Sequence, residues 1–155
     1  VYFVPAFSGL FSPHWDETAR GSLFGLTRFS NKSHMARAVL ESVAFQTYEL
    51  LESMEKDLDT DFESLKVDGG MVANNLLMQF QSDILDKSIH SQEINEITAL
   101  GVGVASYLYV MDLPLSSMGN YITSSKTWNP NMSNETRINS LESWYKAIEK
   151  AKNWL

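Results

Sequence analysis

Two adjacent glycines and an asparagine lie where a short apolar run gives way to an amphipathic helical pattern. Gly69 and Gly70 follow the run at residues 65–67, and the helical pattern begins at Asn74. Glycine adopts positive φ angles readily and carries no Cβ, so a ligand can approach the backbone closely. The first turn of a helix presents unpaired N–H groups and the positive end of the helix dipole. A strand, a glycine turn and a helix in this order suit the binding of a nucleotide.

The same residues also fit a purely structural turn. Paired glycines are common in loops, and asparagine is an ordinary N-cap residue. Asp68, directly before the glycines, stands where active-site carboxylates often occur, but its side chain can also bond the N–H groups of a turn. We favour a turn-stabilising role for Asp68. The residues alone leave both interpretations of the glycine turn open.

A second glycine-containing segment is superficially similar to a dinucleotide-binding fingerprint. Residues 101–106 read Gly-Val-Gly-Val-Ala-Ser. The fingerprint requires a strand before its first glycine, whereas these glycines fall inside a helical run. Each helix glycine costs up to about 1 kcal/mol relative to alanine. We therefore expect another backbone to pack closely against Gly101 and Gly103.

The ionisable residues form no recognisable catalytic or metal-binding pattern. His14, His34 and His90 are far apart and match no metal-ligand spacing. An acidic cluster could suggest a cation site, but a solvated helix face followed by a polar loop explains it better. Its members are Glu49, Glu52, Glu55, Asp57, Asp59 and Asp61. We predict neither a catalytic residue nor a metal ligand in this chain.

The composition is that of a folded, acidic chain without cysteine. The 155 residues suit one domain or a large part of one. Twelve Lys and Arg against nineteen Asp and Glu give a formal charge of -7, which opposes sequence-independent binding to DNA or RNA. The absence of cysteine excludes disulfides, thiolate zinc sites and cysteine nucleophiles. No apolar run approaches the ~20 residues of a membrane span, and we expect a cytoplasmic protein.

Alternating strands and helices must position the glycine turn. Strands are predicted at residues 1–5, 21–26, 65–67 and 88–91. Helices are predicted from Asn31 or Ser33 to about Lys56, at 74–86, at 97–110 and from 134 to 155. Residues 112–133 are predicted to form a loop. Alternation of this kind indicates an α/β layer architecture. Because the chain opens inside a strand, we expect it to begin within a larger protein.

Apolar stripes on these helices predict the sides that face the core. The first helix has the stripe Met35, Ala38, Val39, Ser42, Val43, Gln46 and Leu50. The second helix has Leu76, Leu77, Phe80, Ile84 and Leu85. The last helix has Ile138, Leu141, Trp144, Tyr145, Ile148 and Trp154.

Longer motifs in the right order resemble one protein family. Gly21-x-Leu23-x-Gly25-Leu26, followed by His34-Met35-x-x-Ala38-Val39-Leu40-Glu41, resembles the C-terminal signature of the carbohydrate-kinase family that contains glycerol, xylulose and gluconate kinases. Residues 67–74, 77–85 and 96–101 are similar to the same family. Residues 4–10 and 13–21 are most similar to the members that phosphorylate glycerol.

The resemblance implies a two-domain kinase with an α/β, ribonuclease-H-like fold of the actin/hexokinase type. The γ-phosphoryl group of ATP would pass to a terminal hydroxyl of glycerol, with Mg²⁺ bridging the ATP phosphates. Residues 1–155 would form the C-terminal nucleotide-binding domain, incomplete at its N-terminal side, and residues 134–155 its terminal helix. The intact protein is expected to be a homo-oligomer.

The resemblance also assigns roles to single residues. It places Gly70 and Asn74 at the family's ATP-binding positions, with Gly69 shaping the same turn. The family's catalytic aspartate and its glycerol-binding residues lie upstream of the region that matches, so none is assigned here. Two alternatives remain open: another carbohydrate kinase of the same family, and a catalytically inactive, kinase-like binding or regulatory protein.

Overall fold

Strands and helices alternate along the chain in the computed structural model, which describes residues 1–92, 97–121 and 124–155. The strands are β1 (Tyr2–Val4), β2 (Ser22–Phe24), β3 (Ser64–Val67), β4 (Ser88–Gln92) and β5 (Ser124–Trp128). The α-helices are α1 (Lys32–Leu58), α2 (Asn75–Leu85), α3 (Ile97–Val110) and α4 (Asn134–Ala151). Two 3₁₀ helices occupy Gly70–Ala73 and Leu115–Tyr121. Glu96, part of the family-like segment 96–101, lies outside the described residues.

The five strands form two small sheets. β1 and β2 pair antiparallel. In the second sheet, β4 lies between β3, its parallel neighbour, and β5, its antiparallel neighbour. The predicted loop at 112–133 is therefore wrong over β5 and over the second 3₁₀ helix. The sequence Ser-Ser-Lys-Thr-Trp of β5 lacks alternating apolar residues, and it forms a strand by pairing with the backbone of β4.

Asn31 is the N-cap of helix α1, which settles the choice between the two predicted caps. The Asn31 side chain accepts hydrogen bonds from the N–H groups of Ser33 and His34 at 2.9 and 3.3 Å. His34 Nδ1 in turn accepts the Asn31 N–H at 3.2 Å. This reciprocal arrangement is a capping box with histidine in the usual place of Glu or Gln.

The core forms where α1, α2 and α4 meet around aromatic rings. Phe45 of α1 stacks on Trp144 of α4 with ring centroids 4.9 Å apart. The same ring meets Phe80 of α2 edge-on at 5.4 Å. Both geometries are favoured by the charge distribution of aromatic rings. Val4 of β1 is fully buried in the same core, which joins the first sheet to the helices.

Part of the predicted stripes faces water instead. On α1 the buried residues include Ala38, Ser42, Phe45 and Glu49. The side of the helix that faces the core is therefore rotated relative to the predicted apolar stripe. Several predicted stripe residues are exposed: Met35, Val39, Gln46, Leu50, Leu76, Ile138 and Trp154. Trp154 lies beyond the end of α4, and Leu76 lies in the first turn of α2, away from the core side.

Helix α3 does not have the close neighbour that its glycines predict. A Cβ built at Gly101 or Gly103 would meet no atom of the described chain within 4 Å. The buried residues of α3 are Val104 and Leu108, whereas Val102 is 66% exposed and Tyr109 88%. The expectation of a second backbone against these glycines is therefore wrong for the described residues. Among the described helices, none is long and apolar enough to cross a membrane.

Candidate functional site

The glycine turn lies between the end of β3 and the start of α2. Gly69 has φ 89° and ψ 175°, a backbone conformation that is essentially restricted to glycine. The chain then forms the 3₁₀ turn Gly70–Ala73, and α2 follows with Asn74, where the helix is predicted to begin, as its N-cap. The N–H of Asn74 closes this turn on Met71 O at 3.0 Å. The predicted strand, turn and helix are thus present in this order.

The space beside Gly70 excludes internal packing as the reason for a glycine at this position. A Cβ at Gly70 would meet no atom of the described chain within 4 Å, and the φ angle of this residue is not positive. At Gly9, in contrast, a Cβ would lie 2.7 Å from Asp16 O, so internal packing requires glycine there. Backbone conformation explains Gly69, but no described residue requires glycine at position 70. The open side of Gly70 is space that a ligand could fill.

Asn74 caps α2 as predicted, and its side-chain amide can still donate hydrogen bonds. Its Oδ1 accepts the N–H of Leu77 at 3.1 Å, which is ordinary N-cap geometry. Within the described chain, the two N–H donors of its side-chain amide have no partner. The residue can therefore stabilise the helix and donate hydrogen bonds to a ligand at the same time.

Lys126 is a second polar residue at this turn, and the sequence analysis missed it. Its ammonium group donates to Asn75 Oδ1, in the first residue of α2. The same group lies 4.9 Å from the centroid of the Trp128 ring. No local sequence signal reveals it, because its partner Asn75 lies 51 residues away along the chain.

Asp68 does not stabilise the turn. Its side chain is exposed, and no hydrogen bond joins it to another residue in the described ranges. The predicted role for Asp68 is therefore wrong. The position of Asp68 at the end of a strand can be predicted from the sequence, but the direction of its side chain relative to the turn cannot.

The three histidines lie in three separate environments, in agreement with their spacing. Their nearest polar partners are Glu49 for His14, Asn31 for His34 and Thr127 for His90. Across residues 1–92, 97–121 and 124–155, no group of three or more His, Asp or Glu side chains is arranged to hold a metal ion.

The prediction that the acidic cluster forms a solvated helix face is wrong for Glu49. It is 3% exposed, and His14 Nε2 lies 2.8 Å from its Oε1. Burial raises the pKa of Glu49, and the hydrogen bond with His14 opposes that rise. Glu55, on the same helix, is paired with Lys87 at 2.9 Å, while Asp57, Asp59 and Asp61 are exposed as expected.

An α/β fold with an open glycine turn at a strand end is typical of nucleotide-binding domains. Residues 1–107 match the model of the FGGY family of carbohydrate kinases, C-terminal domain. The chain belongs to this family.

Two curated relatives, both named glycerol kinase, match the chain from end to end. The glycerol kinase of Clavibacter michiganensis subsp. michiganensis is 48% identical over 156 residues, covering 100% of this chain and 31% of the relative. The glycerol kinase of Nocardia farcinica is 49% identical over 161 residues, covering 99% and 32%. The chain therefore spans about three tenths of the length of these relatives.

Solved structures of the family have the same fold. The crystal structure of Plasmodium falciparum glycerol kinase with ADP matches with a TM-score of 0.87 and 36% identity, over 97% of this chain and 30% of that one. The ligand-bound xylulose kinase of Lactobacillus acidophilus matches with a TM-score of 0.74 and 25% identity, over 96% and 30%. The predicted ribonuclease-H-like fold of the actin/hexokinase type is confirmed.

Proposed function

We propose that the full-length protein transfers the γ-phosphoryl group of ATP to glycerol, and that residues 1–155 form part of its C-terminal nucleotide-binding domain. The observation that carries this proposal is 48% identity to a glycerol kinase across the whole chain. The structure of a glycerol kinase with ADP has the same fold. In this arrangement α4 belongs to the second of two domains.

The glycine turn is the part of the chain that we assign to ATP. Gly70 leaves its backbone open on the side where a Cβ would meet no described atom. Asn74 has amide donors left after capping α2. Gly69 gives the turn the backbone conformation that brings Gly70 and Asn74 to the same end of α2. ATP, when bound here, would supply the phosphoryl group that is transferred.

Phosphoryl transfer depends mainly on positioning and on electrostatic stabilisation, with little covalent chemistry by the protein. The residues of this chain would therefore contribute by holding the donor and by excluding water when the two domains close. The carboxylate that accepts the proton of the glycerol hydroxyl is assigned to the upstream part of the protein. The use of Mg²⁺, a cytoplasmic location and assembly into a homo-oligomer remain predictions from the sequence.

An assay of the full-length protein with ATP and three acceptors tests the proposal. We expect phosphorylation of glycerol with a much higher kcat/KM than of xylulose or gluconate. A preference for xylulose or gluconate would show that the acceptor is one of these compounds and not glycerol. Binding of ATP without transfer to any of the three would favour the inactive, kinase-like alternative.

A further inference from the structure

Lys126 lies in the same row of the sheet as the residue that ends β3. Val67 pairs with Ser91 of β4, and Ser91 pairs with Lys126 of β5. Because β5 runs antiparallel, its first half lies at the edge where the parallel strands end. The chain leaves β3 at this edge to form the glycine turn. Lys126 and the turn therefore lie at the same edge of the sheet, with β4 between their two strands.

The side chain of Lys126 has two contacts that fix its position. Its ammonium group lies over the ring of Trp128, which is 6% exposed. The ammonium group then reaches Asn75 Oδ1 at the start of α2. A cation at a helix N-terminus is opposed by the helix dipole, so this contact is not explained as stabilisation of the helix.

The contact belongs to a row of polar residues along α2, all of which bond residues 126–132. The row consists of Asn75, Gln79, Ser82 and Asp83, which share one side of the helix at spacings of four, seven and eight residues. Its other bonds run from Gln79 Nε2 to Asn129 O (2.9 Å), from Ser82 Oγ to Trp128 O (3.1 Å) and from Asn131 N to Asp83 Oδ1 (2.8 Å).

The two ends of this row differ in burial. Ser82 is fully buried and Asp83 is 7% exposed, so the second half of α2 is held inside the structure. Asn75 and Lys126 are both exposed. Leu77 and Met78, which are 1% and 3% exposed, hold the inner side of the first turn against the core. On the outer side of this turn, directly beside Asn74, the contact is that between Asn75 and Lys126 at the surface.

We propose that Lys126 is a positioning residue for the nucleotide. Through Asn75 it holds the first turn of α2, so that Gly70 and Asn74 keep the arrangement in which they contact ATP. The identity of the ligand rests on the proposed function, and the role of Lys126 rests on the contacts described above.

A double-mutant cycle in the full-length protein tests this role. The variants are Lys126→Met, Asn75→Ala and the pair together, and the readouts are the Kd for ADP by titration calorimetry and the KM for ATP and for glycerol. We expect each single variant to weaken ADP binding about fivefold, and the double variant to be no weaker than the single ones. Lys126→Arg should restore most of the affinity, and the KM for glycerol should not change.

Lys146→Met is the matched control, because it removes the same charge from an exposed position on α4. It should bind ADP as the wild type does. An unchanged Kd in Lys126→Met, an equal loss in Lys146→Met, or additive losses in the double variant would each overturn the proposal. If the wild type binds ADP but does not phosphorylate glycerol, the proposed function fails while the cycle still decides the role of Lys126.

Discussion

His14 Nε2 lies 2.8 Å from the carboxylate of Glu49, which is 35 residues further along the chain. Their side chains are only 11% and 4% exposed. The pair joins the loop after β1 to the middle of α1. A buried carboxylate requires a partner of this kind, since an unpaired buried charge is costly.

Replacing Glu49 with Gln should make the melting temperature less dependent on pH. Because burial raises the pKa of Glu49 above 4.5, the folded protein holds a proton that the unfolded chain has lost just above that pH. Stability therefore falls as the pH rises from 4.5 through the raised pKa. Glutamine does not ionise, so the variant should lose less stability over this interval. Thermal melts of the full-length protein across a pH series measure the effect.

Glu63→Gln, at an exposed position, is the control for this series and should follow the wild-type curve. Parallel curves for the wild type and Glu49→Gln would contradict a raised pKa at Glu49.

Gly70→Val should raise the KM for ATP at least about tenfold, which corresponds to a loss of about 1.4 kcal/mol of binding free energy. The turn itself can accommodate valine, because its Cβ meets no atom of the described chain within 4 Å. The KM for glycerol should stay close to its wild-type value. Steady-state kinetics of the full-length enzyme measure both constants.

Gly119→Val provides the matched control for Gly70→Val, since position 119 also has open space and lies outside the glycine turn. Its kinetics should resemble the wild type. An ATP KM that is the same in Gly70→Val and the wild type would remove Gly70 from the ATP site.

Asp83→Ala should lower the free energy of unfolding by about 3 kcal/mol, because it removes a buried acceptor and leaves its donors unpaired. The Asp83 carboxylate is 7% exposed and accepts the N–H groups of Asn131 and Met132 at 2.8 and 3.3 Å. Asp83→Asn retains an acceptor oxygen and should cost less. Chemical denaturation of the full-length protein measures the differences.

The control is Asp57→Ala, at an exposed position near the end of α1, which should change stability by no more than about 0.5 kcal/mol. Equal losses at positions 57 and 83 would show that the bonds of Asp83 add nothing specific.

Lys87→Met should bring the pKa of Glu55 back towards 4.5. The hydrogen bond from Lys87 and that from the Phe62 N–H lower this pKa in the folded protein. The pair therefore adds stability above pH 4.5, and this contribution is lost as the pH falls through the lowered pKa. An NMR titration of the Glu55 carboxyl carbon in the wild type and the variant gives the two values.

Lys66→Met, which removes an exposed lysine from β3, should leave the Glu55 titration unchanged. The assignment to Lys87 fails if its removal has no effect either.

Signals carried by neighbouring residues predicted most of the elements correctly. The caps at Asn31 and Asn74 and the positive φ at Gly69 each depend on a few adjacent residues, so the sequence reveals them. The glycine turn could also be proposed from the sequence as a ligand turn, whereas the absence of internal packing against Gly70 is visible only in the structure.

Features that depend on distant partners could not be predicted in this way. Strand β5 exists because it pairs with β4, and its own residues carry no apolar alternation. Glu49 is surrounded in sequence by other acidic residues, and its partner His14 lies on a different element. Lys126 was missed for the same reason, since its contact with Asn75 crosses 51 residues.

The exposed side of α3 determines how residues 1–155 will behave when they are produced without the rest of the protein. The 14 residues of this helix include no charged side chain, and Val102, Tyr109 and Val110 are 66%, 88% and 77% exposed. An uncharged apolar surface of this kind promotes aggregation at high concentration. Lysine in place of Val102 and Val110 would introduce charge repulsion there and keep the isolated domain dispersed for spectroscopy.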